Sequence, residues 1–353
     1  MKALFIYNNP LDGSFGGSQR TVQNLEGLKT QFEVIPYRMT VKPNKFRTLF
    51  RSFLGYISNS SISDYKKIKN IITSQNIEYV YFDQATHGKI IRKIALMKKN
   101  PLREIFVHFH NNEEQYYYDL LKQQGFMYYS VYKAAKRNQA LSLKYATCCI
   151  FITNEDSNSV GVSSGRKIVI PITLRNKNIN GQLVKVSKKP YALFLGAATY
   201  ANIEGAKYII EKIAPECMDT DFVIAGKGLK EALKDELTPK NVTIFNFVED
   251  LKPLFENAFA FLVPLSSGSG MKVKIAEAMM YGKRIIGSPL SWWGYEIPQD
   301  SYLCNELSSY VQAINELSVL DTLYSKISID IFRRRYDQTQ NESYYSSLLE
   351  VVK

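Results

Sequence analysis

Two doubly wound α/β domains in one chain are what this sequence predicts, and three observations predict them. The 353 residues exceed one ordinary domain and suit two of roughly 170 each. Short apolar runs alternate with helix-length amphipathic stretches, and the whole series occurs twice. Between the two series lies a polar stretch without sustained periodicity.

In the first series the apolar runs are Ala3–Tyr7, Phe32–Ile35, Tyr79–Phe82, Ile105–Phe109, Cys148–Ile152 and Ile168–Ile170. Each is short, rich in β-branched and aromatic side chains, and so reads as a buried parallel strand. Helical periodicity falls near 18–28, 64–74, 86–98 and 128–145. The second series has strands at Tyr191–Leu195, Phe222–Ala225, Val242–Phe245, Ala260–Val263 and Arg284–Ile286, with helices near 202–214, 228–237, 250–257 and 271–281. The segment 175–190 carries Gly181 and Pro190 and reads as the linker. The expected domains are therefore residues 1–180 and 190–320, each Rossmann-like and facing the other across a cleft. The helical tail 321–353, which no strand follows, is expected to pack across both.

Composition narrows the function. Hydrophobic residues make up 45% of the chain, enough for real cores and too many for disorder. No apolar run approaches the ~18 residues of a membrane span, and Met1 leads straight into a strand with no cleavage site behind it. Four cysteines, at 148, 149, 217 and 304, fit neither a disulfide framework nor a zinc pattern and read as buried small hydrophobes in a reducing compartment. The net charge of +12 is uneven. Residues 1–180 hold 26 Lys and Arg against 12 Asp and Glu, a net of +14, and residues 181–353 hold 19 against 21, a net of −2. The first half should face a polyanion.

Open α/β sheets bind ligands at the carboxyl ends of their strands, so the loops that follow strands carry the candidates. After the first strand come Gly16, Gly17, Ser18 and Arg20. Paired glycines admit close backbone approach, a helix start favours anions, and a guanidinium forks onto phosphate or carboxylate. The spacing is not the dinucleotide fingerprint, so nicotinamide cofactors are not implied. After the fourth strand come His108 and His110, on one face by period-two alternation. His108 reads as a core residue. His110, last in the strand, is placed to meet a substrate hydroxyl or developing charge. No third ligand at a suitable spacing joins these two and Glu113, so no metal is expected.

The densest loop runs Pro264-Leu-Ser-Ser267-Gly268-Ser269-Gly270-Met271-Lys272-Val-Lys274-Ile-Ala-Glu277 and continues to Gly282. Amides and a helix start make an anion cradle. Lysines 272 and 274 fall in the helix's expected first turn, where the dipole disfavours cations unless an anion sits between them. Lys274 and Glu277 stand three apart on one face, a cation for a diphosphate and a carboxylate for a ribose diol.

This run resembles the "P…G.G.K.KI.EAM..G" segment of the retaining GT-B glycosyltransferases of the family-4 group, which includes bacterial polysaccharide and glycolipid transferases. Leu193–Gly196 with Asn202 and Gly205, Phe222–Gly228 and Val242–Asp250 are similar to that family's donor domain, and Gly16–Arg20 and His110–Glu113 to its acceptor domain. The match is strong over 190–295 and weaker before 170. The resemblance implies a hexose moved from a nucleotide-diphosphate sugar, UDP favoured, to a hydroxyl of a lipid-linked or other glycan acceptor, without a metal. It implies that Glu277 holds the ribose, that Lys274 with the 267–270 amides holds the diphosphate flanked by Met271 and Lys272, and that Phe247 and Val248 hold the base. Gly226 and Lys227 would line the donor, His110 the donor sugar, and Gly16, Gly17 and Arg20 its phosphates. The catalytic set is thus His110, Lys274 and Glu277. Two departures stand out: the family's Glu eight before Glu277 is Ser269, and Gly196-Ala-Ala-Thr-Tyr lacks the family's cation. A non-catalytic GT-B partner subunit and a same-fold sugar-nucleotide epimerase are the alternative readings.

Residues 42–57 place Phe46, Leu49, Phe50, Phe53, Leu54 and Ile57 on one helical stripe flanked by Lys42, Lys45, Arg47 and Arg51. An aromatic stripe with basic edges suits an anionic membrane surface, and a core-facing helix is the plainer alternative. The aromatics 116–118 and 128–132 suit sugars, a lipid-linked acceptor or packing. No nucleic-acid recognition motif is present, so no nucleic-acid partner is expected. The expected place is cytoplasmic, on the inner face of the plasma membrane.

Overall fold

The computed structural model describes residues 1–13, 16–39, 45–57, 62–98, 101–178, 189–268 and 270–350. Two compact units emerge: Met1–Ile172 with Thr339–Lys353, and Thr173–Gln338. Each is built on one six-stranded, all-parallel sheet.

The first unit orders its strands β2-β1-β3-β4-β5-β6: β1 (Lys2–Tyr7), β2 (Glu33–Arg38), β3 (Tyr79–Phe82), β4 (Glu104–Phe109), β5 (Cys148–Phe151) and β6 (Arg166–Val169). The near-continuous apolar strands are buried on both faces, as parallel sheets require. One face packs Leu4, Ile6, Phe82 and Phe109 under Ile68, Ile72, Ile90 and Ile91. The other packs Phe5, Tyr79, Tyr81 and Phe106 under Leu25, Leu28 and Tyr345. The helices of this unit are α1 (Gly16–Lys29), α2 (Lys45–Phe53), α3 (Ile62–Ser74), α4 (Gly88–Ala95), α5 (Glu113–Gln124), α6 (Tyr129–Tyr145) and α7 (Asn154–Ser159). Strand β2 runs past its expected end because Pro36 is tolerated on an edge strand.

The second unit orders its strands β12-β11-β10-β7-β8-β9: β7 (Tyr191–Leu195), β8 (Asp221–Ala225), β9 (Val242–Phe245), β10 (Ala258–Val263), β11 (Arg284–Gly287) and the two-residue β12 (Tyr302–Leu303). Its helices are α8 (Tyr200–Tyr208), which runs on through a π turn into α9 (Ala214–Glu216), then α10 (Leu229–Ala232), α11 (Lys252–Asn257), α12 (Val273–Met280), α13 (Leu307–Ser318) and α14 (Lys326–Ile331). Lys283 is fully buried here, donating to the carbonyls of Ala258 and Leu323 with Tyr324 beneath its ammonium. Burial lowers its pKa to about 7.

The tail divides between the units. Residues up to Gln338 stay with the second, where Leu174 pairs with Asp337, and α15 (Asn341–Ser346) lies on α1 in the first. The linker expected at 175–190 lies mostly outside the described residues, and the units divide at 172/173.

Candidate functional site

In the second unit the strand order reverses direction between β7 and β10, and a crevice for ligands opens at such a switch. Five loops line the carboxyl edge around it. Gly196, after β7, and Gly226, after β8, meet back to back: a Cβ on Gly226 (φ +157°) would lie 1.8 Å from the Gly196 carbonyl. The Ala198 amide donates to the Lys227 carbonyl, and the Gly228 amide to Asn246 Oδ1. These bonds fix the loops as one surface, with the side chain of Lys227 exposed, Phe247 exposed and Val248 half-buried beside it. The loop after β11 ties in as well, since Ser288 Oγ donates to Leu265 O and Tyr295 Oη to Lys272 O.

Helix α12 begins at Val273, two residues later than its expected start, so Lys272 is the N-cap position and Lys274 alone stands in the first turn. Lys272 Nζ donates to Gly270 O at 2.6 Å. Gly268 is exposed, Gly270 and Met271 are buried, and Ser269 lies outside the described residues. Lys274 Nζ donates to Leu195 O at 2.8 Å and Asn202 Oδ1 at 2.7 Å and stands 4.6 Å from the centre of the Phe194 ring. No carboxylate within ion-pair reach faces it among the described residues. Burial, with Lys272 adding repulsion, brings its pKa down to about 7. One turn on, burial raises the carboxyl of Glu277, opposed only by the attraction of Lys177. Among the described residues that carboxylate accepts no hydrogen bond. A desolvated cation without its anion and a carboxylate without its donor, three residues apart, suit a ligand that brings both.

Glu204 completes this edge and was not foreseen. Its Oε2 accepts from Ser267 Oγ at 2.6 Å and Ser266 Oγ at 3.4 Å. Only its place shortly after a loop, on the first helix past β7, could have signalled it.

The first unit's candidates are arranged differently. Arg20, expected to meet a phosphate, is 4% exposed. Its guanidinium donates to the carbonyls of Ile170 and Pro171, to Gln23 Oε1 and to His108 Nε2. It is spent on the fold, because a buried guanidinium takes the nearest carbonyls. Arginine has no acceptor, so His108 Nε2 accepts and its Nδ1–H donates to Tyr81 Oη at 2.6 Å. Burial and the neighbouring Arg20 hold His108 well below its usual pKa. Tyr81 in turn bonds Tyr345, Tyr345 Oη donates to Asn24 Oδ1, and Asn24 Nδ2 donates to Asp83 Oδ1 at 2.6 Å. Thr21 Oγ1 reaches the other oxygen of Asp83 at 2.6 Å. His110 Nε2 lies 3.4 Å from Asp83, with its side chain 10% exposed. Asp83, fully buried just past the end of β3, was invisible as a lone acid in sequence. Gly16 opens α1, and the Gly17 carbonyl accepts from Asn9 and Thr21.

Residues 189–318 match the family described as glycosyl transferases group 1. The chain carries a group 1 glycosyltransferase domain. The transferase domain spans every loop of the crevice around β7 and β10. Over its whole length the chain shares the GT-B fold of sucrose-phosphate synthase from Thermosynechococcus elongatus, at a TM-score of 0.73 and 12% identity, covering 100% of this chain and 99% of that one. HepE of Anabaena in complex with UDP-glucose is similar at 0.66 and 14% identity, covering 99% of each. An uncharacterized 44.6 kDa protein in the cps region of Klebsiella pneumoniae is 21% identical over 255 residues, 66% of this chain. The match spans 62% of that relative's length.

Proposed function

We propose that the chain moves a hexose from a UDP-sugar to a hydroxyl of a lipid-linked or other glycan acceptor, with retention and without a metal. The observation that carries this reading is the Lys274–Glu277 pair on the first turns of α12. Glu277 would accept from the ribose hydroxyls. Lys274, the amides of the 267–270 loop and the start of α12 would hold the diphosphate, and these fixed charges stabilise the leaving group where a cation is otherwise needed. Phe247 and Val248 would take the base, Gly226 and Lys227 the donor's flank. In the transfer the acceptor oxygen bonds to the anomeric carbon on the face that the leaving group departs. The bond from that carbon to the phosphate oxygen breaks, and the acceptor's proton passes to that oxygen. His110, oriented by Asp83, is assigned the donor sugar. HepE, solved with UDP-glucose, supports the donor class, and the cps-region relative supports a polysaccharide or glycolipid product.

We assign the basic first half, through residues 42–57, to an anionic membrane surface at the inner face of the plasma membrane. Helix α2 supports this with Phe50 and Phe53 exposed; residues 42–44 lie outside the described ones. No helix among the described residues is long and apolar enough to cross a membrane.

The test is UDP-sugar consumption by the purified chain. Slow donor hydrolysis, accelerated by a glycan acceptor, lowered by about 10²-fold or more in Lys274→Ala and lost in Glu277→Ala, is expected. A chain that binds UDP but consumes no donor under any acceptor is the partner subunit. Conversion of the sugar without an acceptor is the epimerase.

A further inference from the structure

A second apolar feature stands beside α2. Helix α5 ends at Gly125, whose φ of +76° turns the chain sharply, and a Cβ there would meet nothing within 4 Å. The turn delivers Phe126 and Met127 at an outer tip, 84% and 70% exposed. Phe126 stacks on Tyr129 at 5.6 Å instead of folding back onto the core. The tip is joined to α2, since Ser52 Oγ bonds Ser130 Oγ at 2.7 Å and α2 packs along α6. Phe50, Phe53 and Leu54, 70%, 79% and 56% exposed, flank Ser52 at the end of α2 that this bond ties to α6. Isolated exposed apolar residues mean little, but a contiguous group rimmed by polar ones marks an interaction site.

The rim decides the partner. Lys122 lies 4.5 Å over Tyr118 and Lys133 5.0 Å over Tyr129, so apolar rings and ammonium groups share one edge. Lys122, Lys133 and Arg137 line this edge, and none makes an ion pair among the described residues. The nearby acid Glu114 is already held by Lys136. Aromatic rings at the level of cations are what the boundary between acyl chains and anionic headgroups takes.

We propose that Phe126–Met127 and the group of Phe50 and Phe53 on α2 with Leu54 just past its end form a two-pronged anchor in an anionic bilayer. The prongs insert, and Lys122, Lys133 and Arg137 meet the headgroups. This extends the membrane reading of residues 42–57, on which it rests, to an element outside them.

Co-sedimentation with phosphatidylcholine vesicles, with and without phosphatidylglycerol, tests it on the full chain. Wild type is expected with the anionic vesicles only, and Phe126→Glu with Met127→Glu is expected to lower partitioning at least tenfold with UDP affinity and melting temperature unchanged. Phe126→Trp supplies a second readout: its emission should shift to the blue and be quenched by brominated acyl chains. If wild type ignores anionic vesicles, the membrane reading of 42–57 falls with the anchor. If Phe50→Glu with Phe53→Glu releases the protein but the Phe126 and Met127 changes do not, and the indole of Phe126→Trp stays in water, the second prong alone is overturned. A dimer that the same changes dissociate, with no vesicle binding, assigns the patch to a second copy and overturns the proposal.

Discussion

The carboxyl edges of the two sheets both gather charged and polar residues, yet they use them in opposite ways. In the first unit a directed series of hydrogen bonds runs from Arg20 through His108, Tyr81, Tyr345 and Asn24 to Asp83. A buried cation stands at one end and a buried carboxylate at the other, and the groups between are satisfied by one another. In the second unit Lys274 has carbonyl, amide and ring neighbours but no anion, and the Glu277 carboxylate accepts nothing among the described residues. A charge answered by its own chain builds the fold, and one left unanswered awaits a ligand. That contrast separates Arg20 from Lys274, which look alike as basic residues in helix starts.

The contrast can be broken in graded ways. Lys274→Ala should lower donor turnover by about 10²–10³-fold, the cost of removing a preorganised charge at a leaving group. Turnover within about threefold of wild type would place the diphosphate elsewhere. Asp83→Asn should act on stability, because it withdraws a buried charge from Thr21, Asn24 and His110. A loss of about 2–3 kcal/mol is expected in urea unfolding, with UDP affinity unaltered. Glu277→Gln should weaken UDP about tenfold or more and should erase the preference for UDP over 2′-deoxy-UDP. A preserved preference would remove the ribose from Glu277.

The smallest effect is with pH. Unfolded, Lys274 keeps its proton to about pH 10.4; folded, only to about 7. Between those values the unfolded chain binds more protons, so the unliganded fold gains stability from this residue as pH rises. The diphosphate needs the protonated form, so UDP affinity should fall about fivefold from about pH 7 to 8, while the melting temperature rises. In Lys274→Met, titration calorimetry across that range should show a flattened curve.

Much of this was legible in the sequence. The apolar runs from Ala3 to Ile286 lie in strands because both-face burial leaves near-continuous apolar segments, and the 264–282 run placed the site because glycines, a strand end and a helix start occur together there. Helix α5 was not foreseen. Its polar, tyrosine-rich sequence has no apolar stripe, although Asn112, which accepts from the Gln115 amide, is a cap signal. Strand β12 has two residues, too few for any period. Asp83 and Glu204 were out of reach because their roles depend on partners 59 and 63 positions away. Arg20 misled because local spacing does not report that the carbonyls of Ile170 and Pro171 arrive beside it.

Tyr345 carries one consequence further. It fills the first sheet's face between Leu25 and Phe106 and is fully buried, yet the whole of the other unit, Thr173–Gln338, is synthesised before it emerges. On the ribosome the leading half must therefore wait with an open seam, Asn24 unbonded to its phenol, while the trailing half is made and begins to fold. Completion of the earlier half is thus timed by the later one, and a nascent chain halted before Asn341 should be captured by chaperones at its amino-terminal half.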